Sequence, residues 1–166
     1  MASEHARTRR SDVPGLKDPT LLREQAHIGG EWLDAASRFE VCDPATGQVL
    51  ARVANHGAAS ATAAIEAARR ALGPWRRLTA LQRQQLLMRW HALVVEHTDD
   101  LARLMTAEQG KPLAEARGEV AYGASFIQWF AEEARRVYGE IVPPPDASKR
   151  YLVLQQPIGV CAAITP

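Results

Sequence analysis

Cys42 and Cys161 are the two thiols of this chain. A thiol is well suited to attack a carbonyl, provided that its surroundings lower its pKa. Neither cysteine is placed for that. Cys161 lies inside the apolar run Ile158-Gly159-Val160-Cys161-Ala162-Ala163-Ile164, with no helix N-terminus or neighbouring basic residue. It reads as a small buried core residue. Cys42 follows a strand pattern and reads the same way. The two lie far apart and show no C-x-x-C pattern, which argues against a disulfide framework and suits a reducing compartment. His5, His27, His56, His91 and His97 show no H-E-x-x-H or other ligand spacing, so no metal site is expected. Glu108, Glu115, Glu119, Glu132 and Glu133 read as solvated helix faces, with nothing in the sequence to raise a pKa. Glu115 and Glu119 form a like-charge pair eased by Arg117. Lys111, at a helix boundary, reads as a surface residue. Trp32, Trp75, Trp90 and Trp129 read as core or interface anchors. No catalytic residue emerges from these patterns, and there is no G-x-G-x-x-G.

The elements that would position any chemistry come next. The 166 residues fit one domain or a piece of a larger one. Hydrophobic residues make up 46%, enough to build a core. Lys and Arg number 20 against 19 Asp and Glu, a net charge of +1, which gives no reason to expect a nucleic-acid partner. The apolar runs fall far short of a bilayer crossing. Met1–Asp12 carries basic residues without an apolar stretch behind them, so it does not read as a secretory signal. Together these features point to the cytoplasm.

Residues 1–19 read as a flexible extension. Ala26–Leu33 and Arg38–Cys42 read as strands, with Gly29-Gly30 marking a bend inside the first. Asp43-Pro44-Ala45-Thr46-Gly47 is a turn, and Gln48–Val53 a third strand. Ser60 is expected to cap a helix with the stripe Ala61, Ala64, Ile65, Ala68 and Leu72, stopped by Gly73-Pro74. Thr79 and Gln82 make a capping box for a second helix, which buries Leu86, Leu87, Trp90, Leu93 and Val94. Thr98, Asp99 and Asp100 start a third helix, closed by Gly110. A long helix is expected from Pro112 to Tyr138. Leu113, Ala116, Val120, Ala124, Ile127, Ala131 and Ala134 line its inner face. Tyr151–Gln155 and Ile158–Ile164 read as strands. The second is apolar throughout, which suits a parallel strand buried on both faces at the entrance to an α/β domain. Such a strand needs sheet neighbours and covering helices, and the chain reads as truncated there.

Several ordered blocks resemble the aldehyde dehydrogenase family, most closely its bacterial succinate-semialdehyde dehydrogenases. They are Ile28-Gly29-Gly30-Glu31-Trp32-Leu33, Asp43-Pro44-Ala45-Thr46-Gly47, and Asp99-Asp100-Leu101-Ala102-Arg103-Leu104-Met105. Further on stand Glu108-Gln109-Gly110-Lys111-Pro112-Leu113-Ala114-Glu115-Ala116 and Ala124-Ser125-Phe126-Ile127-Gln128-Trp129-Phe130-Ala131-Glu132-Glu133. Gln156-Pro157-Ile158-Gly159-Val160 and Ala163-Ile164-Thr165-Pro166 complete the set. The resemblance covers residues 20 to 166 in the family's order, a stronger signal than any single motif.

The resemblance implies an α/β fold, here the N-terminal part of a nucleotide-binding domain over residues 20–166. The start of the oligomerisation strands is expected at 150–156. It implies an NAD- or NADP-dependent parent enzyme that oxidises succinate semialdehyde to succinate and assembles as a homodimer or homotetramer. Ile164, Thr165 and Pro166 would line part of the cofactor cleft, and Tyr122 and Phe126 would face the substrate tunnel. The family's oxyanion-holding Asn, its general-base Glu segment and its Gly-Gln-x-Cys nucleophile segment do not occur here. The chain by itself is therefore expected to be inactive. The alternatives are an interaction fragment that docks onto intact subunits and a degraded gene product.

Overall fold

A computed structural model of the protein describes Val13 and residues 15–165. It opens with a short 3-10 turn at Pro19–Leu21 and a hairpin of β1 (Ala26–Ile28) and β2 (Glu31–Leu33). A second hairpin pairs β3 (Arg38–Cys42) with β4 (Val49–Ala54). Four helices follow: α1 (Ala58–Arg77), α2 (Ala80–Glu96), α3 (Thr98–Gln109) and α4 (Leu113–Glu133). A last hairpin joins β5 (Glu140–Val142) to β6 (Tyr151–Val153). All three pairings are antiparallel and two-stranded.

The first hairpin corrects the single strand expected over Ala26–Leu33. Gly29 and Gly30 both take positive φ, 65° and 95°. That conformation is the two-residue turn that folds one strand back on the other. The Asp43–Gly47 turn forms as expected. The Asp43 backbone N–H donates to the Gln48 carbonyl at 2.9 Å, and the Gly47 N–H donates to the Asp43 carbonyl at 2.8 Å.

Helix α1 departs from expectation at both ends. Its N-cap is Gly57, and Ser60, inside the first turn, instead meets His56 Nδ1 at 3.0 Å. It runs through Pro74 to Arg77. Proline there removes one N–H close to the helix end, where few later bonds depend on it. The Thr79–Gln82 capping box of α2 is present with both of its reciprocal bonds. Gly110 closes α3 in the left-handed conformation, φ 76°. An added Cβ there would stand 3.0 Å from the Pro44 side chain, so the bundle and the β3–β4 turn approach closely at this point.

Helices α2, α3 and α4 form the packed body, with α4 against both of the others. Its expected inner face is largely the observed one: Ala116, Val120, Ala124 and Ala131 are buried. Ala102 of α3 packs with Ala116 and Val120, and Val94, Leu101, Met105 and Leu113 close around them. Alanine at these crossings lets helix backbones approach. Helix α4 ends at Glu133 rather than Tyr138, and Val137 and Tyr138 beyond it are exposed. Arg117 Nε donates to Asp99 Oδ1 at 2.7 Å, tying α4 to α3. Lys111 pairs with Glu119. The repulsion expected between Glu115 and Glu119 is thus met by Lys111, while Arg117 serves Asp99.

Ile158–Ile164 is not a strand in this structure. Ile158 and Ile164 are 95% and 99% exposed. A strand exists by pairing its backbone with a neighbour, and none stands beside this segment among the described residues. Cys161 and Cys42 are accordingly exposed, which corrects the buried reading of both. The four tryptophans are also exposed, so none is a core anchor of the isolated chain.

Of the expected N-terminal extension, Met1–Asp12 and Pro14 lie outside the described residues. Val13 is buried, and the backbone N–H groups of Lys17 and Asp18 donate to Asp100 Oδ1 and Oδ2, each at 2.9 Å. Asp100 is itself only 3% exposed. The two N–H donors, Lys17 first, hold its carboxyl below the ordinary value of 3.8. A carboxyl with a lowered folded-state pKa stabilises the fold fully above its unfolded value. That contribution is lost as pH falls through the folded one. Asp100→Asn should therefore melt below the parent at pH 7, with the gap closing at pH values under 3.8. A gap of the same size at pH 3 and pH 7 in urea unfolding would contradict this role.

Candidate functional site

The long helix α4 presents the expected substrate-tunnel pair one turn apart. Tyr122 and Phe126 meet edge to face, with ring centroids 4.8 Å apart and planes at 84°. Such a T-shaped pair is a favoured aromatic geometry. The Ser125 hydroxyl donates to the Tyr122 carbonyl at 2.7 Å. Tyr122 is 65% exposed and Phe126 46% exposed, so the pair forms an open apolar wall rather than an enclosed tunnel. Helix α2 helps set its position. The carbonyl of Ala124, between the two rings in sequence, can only accept, so His91 Nδ1–H donates to it at 3.0 Å.

A cavity of about 580 Å³ opens between α2, α3 and α4, bordered by Trp90, Val94, Leu101, Met105, Glu108 and Ile127. Tyr122 and Phe126 stand outside it. Glu108 is exposed, as the solvated helix face read from the sequence has it, but the apolar surroundings raise its carboxyl pKa from the ordinary value. One carboxyl alone is neither an acid–base pair nor a metal site. No cluster of three or more His, Cys, Asp or Glu able to hold a metal occurs among the described residues. No helix among them is long and apolar enough to cross a membrane.

Ile164 and Thr165 lie in the unpaired segment after β6, and Pro166 falls outside the described residues. No hydrogen bond or ring contact joins Ile164 or Thr165 to Tyr122 or Phe126. Ile164 is 99% exposed, and neither it nor Thr165 borders the cavity between α2, α3 and α4. Ile164 and Thr165 offer an apolar side chain and one hydroxyl, which suits a cleft wall. Holding a dinucleotide's phosphates calls for cations or aimed backbone N–H groups as well. The neighbouring thiol of Cys161 is exposed and faces the Gly159 carbonyl at 3.9 Å, and among the described residues no hydrogen bond from it reaches a base.

Comparison with known proteins supplies the frame for these parts. The family model described as the aldehyde dehydrogenase family matches residues 32–166. A 3-sulfolactaldehyde dehydrogenase of Pseudomonas putida is 59% identical over 153 residues, 91% of this chain and 32% of the relative. The NADP+ succinate-semialdehyde dehydrogenase of Escherichia coli is 57% identical over the same shares. Among solved structures, a succinate-semialdehyde dehydrogenase from Burkholderia pseudomallei superposes with a TM-score of 0.86 at 57% identity. That superposition covers 89% of this chain and 31% of the solved one. The chain spans about a third of the length of these relatives. With a matched family model over most of its length, and a helical body that superposes on the N-terminal part of solved members, the chain belongs to the aldehyde dehydrogenase family.

Proposed function

We propose that this chain forms the N-terminal part of the nucleotide-binding domain of an NAD(P)-dependent aldehyde dehydrogenase, whose parent reaction oxidises succinate semialdehyde to succinate. The observation that carries the reading is the match over 91% of the chain at 57% identity to a succinate-semialdehyde enzyme, joined to the superposition. Relatives named for 3-sulfolactaldehyde, glutarate semialdehyde and succinate semialdehyde stand at 59%, 58% and 57% identity. Their substrates share an aldehyde at one end and an anionic group at the other. The parent substrate belongs to that class, with the succinate compound the first to assay.

The nicotinamide cofactor accepts hydride from the substrate adduct when bound. In this reading Ile164, Thr165 and Pro166 line its cleft, and the E. coli relative's name favours NADP. Tyr122 and Phe126 supply an apolar wall that keeps water from the aldehyde's carbon chain. The nucleophile and the general base belong to segments this chain does not contain, so its residues bind and exclude water while other segments transfer protons. A cytoplasmic homodimer or homotetramer completes the proposal, with residues 150–156, which include β6 of the β5–β6 hairpin, beginning the oligomerisation strands.

A second reading rests on that hairpin. Ile141, Leu152 and Leu154 are exposed on it, and both of its strand edges are free among the described residues. Free edges template pairing with another chain, so the fragment could also dock onto intact subunits without catalysing.

The test is a chimera in which this chain replaces the matching third of the E. coli relative. The expected result is nicotinamide reduction with succinate semialdehyde within about tenfold of the parent's kcat/KM, a loss of no more than ~1.4 kcal/mol in transition-state binding. A folded, oligomeric chimera that oxidises none of the three anionic aldehydes would refute the proposal.

A further inference from the structure

His56 and Ser60 form a pair that the aldehyde chemistry does not use. His56 stands between β4 and α1, and Ser60 lies in the first turn of α1. Both are half-buried. His56 Nδ1 is 3.0 Å from Ser60 Oγ, and Nε2 is 3.3 Å from the Leu33 carbonyl of β2. A carbonyl oxygen can only accept, so in the neutral ring Nε2 carries the proton. Nδ1 is then a lone pair, and the Ser60 hydroxyl donates to it. A hydroxyl held on a base, whose ring is oriented by a third group, is the arrangement of an activated nucleophile. Ser125 shows the contrast. Its hydroxyl donates to the Tyr122 carbonyl, which is no base.

The surroundings suit the charges that such a reaction develops. The Ala35 N–H first, then the Arg38 guanidinium, hold the Asp34 carboxyl below its ordinary value of 3.8, and His56 contributes to the same lowering. An ionised carboxylate near the ring favours the imidazolium that forms when Ser60 gives up its proton. The Ala58 and Ala59 N–H groups open α1 and have no acceptor inside the helix, and Gly57 caps it with no side chain of its own. They are the donors on hand for an oxyanion. A Cβ added at Gly57 would meet nothing within 4 Å, and Ala58 and Ala59 are exposed, so a small acyl group has room to approach.

We propose that Ser60 is a base-activated nucleophile, with His56 as its general base, that takes an acyl group from an activated carboxylic ester. Ser60 Oγ bonds to the ester's carbonyl carbon while its proton passes to His56 Nδ1. The bond from that carbon to the leaving oxygen then breaks, and the leaving group departs with the proton from Nδ1. Water, deprotonated by the same Nδ1, can attack the acyl-serine, release the acid and restore Ser60. The step needs no residue of the aldehyde site and no nicotinamide.

The experiment treats the full 166-residue chain with p-nitrophenyl acetate, quenches early with acid and locates the acetyl groups by tryptic peptide mass. Cleavage after Arg52 and Arg69 releases residues 53–69, which hold Ser60 but no Lys, Tyr or Cys, the usual bystander acceptors. The expected result is acetyl-Ser60 forming about a hundredfold or more faster than acetyl-Ser125, the lower end of general-base assistance. In urea the ratio should fall to about one, because the pair exists only in the fold. Ser60→Ala should clear acetyl from this peptide. His56→Gln, whose amide can still bridge Ser60 and Leu33, should keep the parent's circular dichroism and bring Ser60 down to the Ser125 rate. A ratio near one in the unsubstituted folded chain overturns the proposal by itself and leaves the pair a clip between β2 and α1. Acetylation of Ser60 at an unchanged rate in His56→Gln, or acetyl resting on His56 with none on Ser60, overturns it too.

Discussion

A purified polypeptide ending at Pro166 should show no dehydrogenase turnover with succinate semialdehyde and either nicotinamide cofactor. Aldehyde oxidation needs a thiolate nucleophile, donors for the oxyanion, a hydride acceptor and a base that activates water. The chain has two thiols, and neither is a nucleophile by its surroundings. Cys161 sits in an exposed unpaired segment and points its sulfur at a backbone carbonyl. Cys42 ends β3 at a strand irregularity, also exposed. Among the described residues, Glu108 is the carboxyl whose pKa its surroundings raise, and no second carboxyl lines its groove. Loss of a catalytic nucleophile alone lowers kcat by on the order of 10⁶. The measurement is cofactor absorbance at high protein concentration. Turnover that scales with protein and disappears in Cys161→Ser would overturn this account and make Cys161 a nucleophile after all.

The largest effect on stability is expected at the crossing of α3 and α4. Ala102 and Ala116 are fully buried there, with Val120 beside them. Ala116→Leu adds three carbons where two backbones already meet. Overpacking of this kind costs about 1–3 kcal/mol. Met105 can absorb part of the added volume because its side chain is unbranched and adaptable. For a domain of this size each kcal/mol moves Tm by about 2–4 °C. The thermal midpoint followed by helical circular dichroism should therefore fall by roughly 2–12 °C. The exposed control Ala114→Leu should change little. An unchanged midpoint for Ala116→Leu would mean that the helices are not packed as closely as their alanines imply. The small-residue face would then be no core.

Local chemistry settled much of this architecture before any packing was considered. The Thr79–Gln82 capping box satisfies backbone groups within one turn, so its residues alone locate the start of α2. Gly110 stops α3 because a left-handed residue without Cβ is needed there. The spacing of Ala116, Val120, Ala124 and Ala131 marks the inner face of α4, since helical geometry fixes which residues share a side. The ordered blocks, read together, placed the chain in its family, and the family model agrees over residues 32–166.

What needed the tertiary structure was everything that depends on a neighbour. Ile158–Ile164 has a strand's composition, yet a strand is defined by a partner's hydrogen bonds, and the segment stays unpaired among the described residues. Cys161 shares its fate and is exposed for the same reason. Glu108 is an exposed helix residue, as its own helix suggests, yet nothing in that helix would raise its pKa. Its raised pKa comes from the groove that α2, α3 and α4 build together. Asp100 was legible as a helix-start acid, but its two bonds reach back more than eighty residues to Lys17 and Asp18. Periodicity places a side chain on a face of its own element. Only the packed chain decides whether that face meets protein or water, and on α4 it meets protein on one side and leaves the aromatic side open.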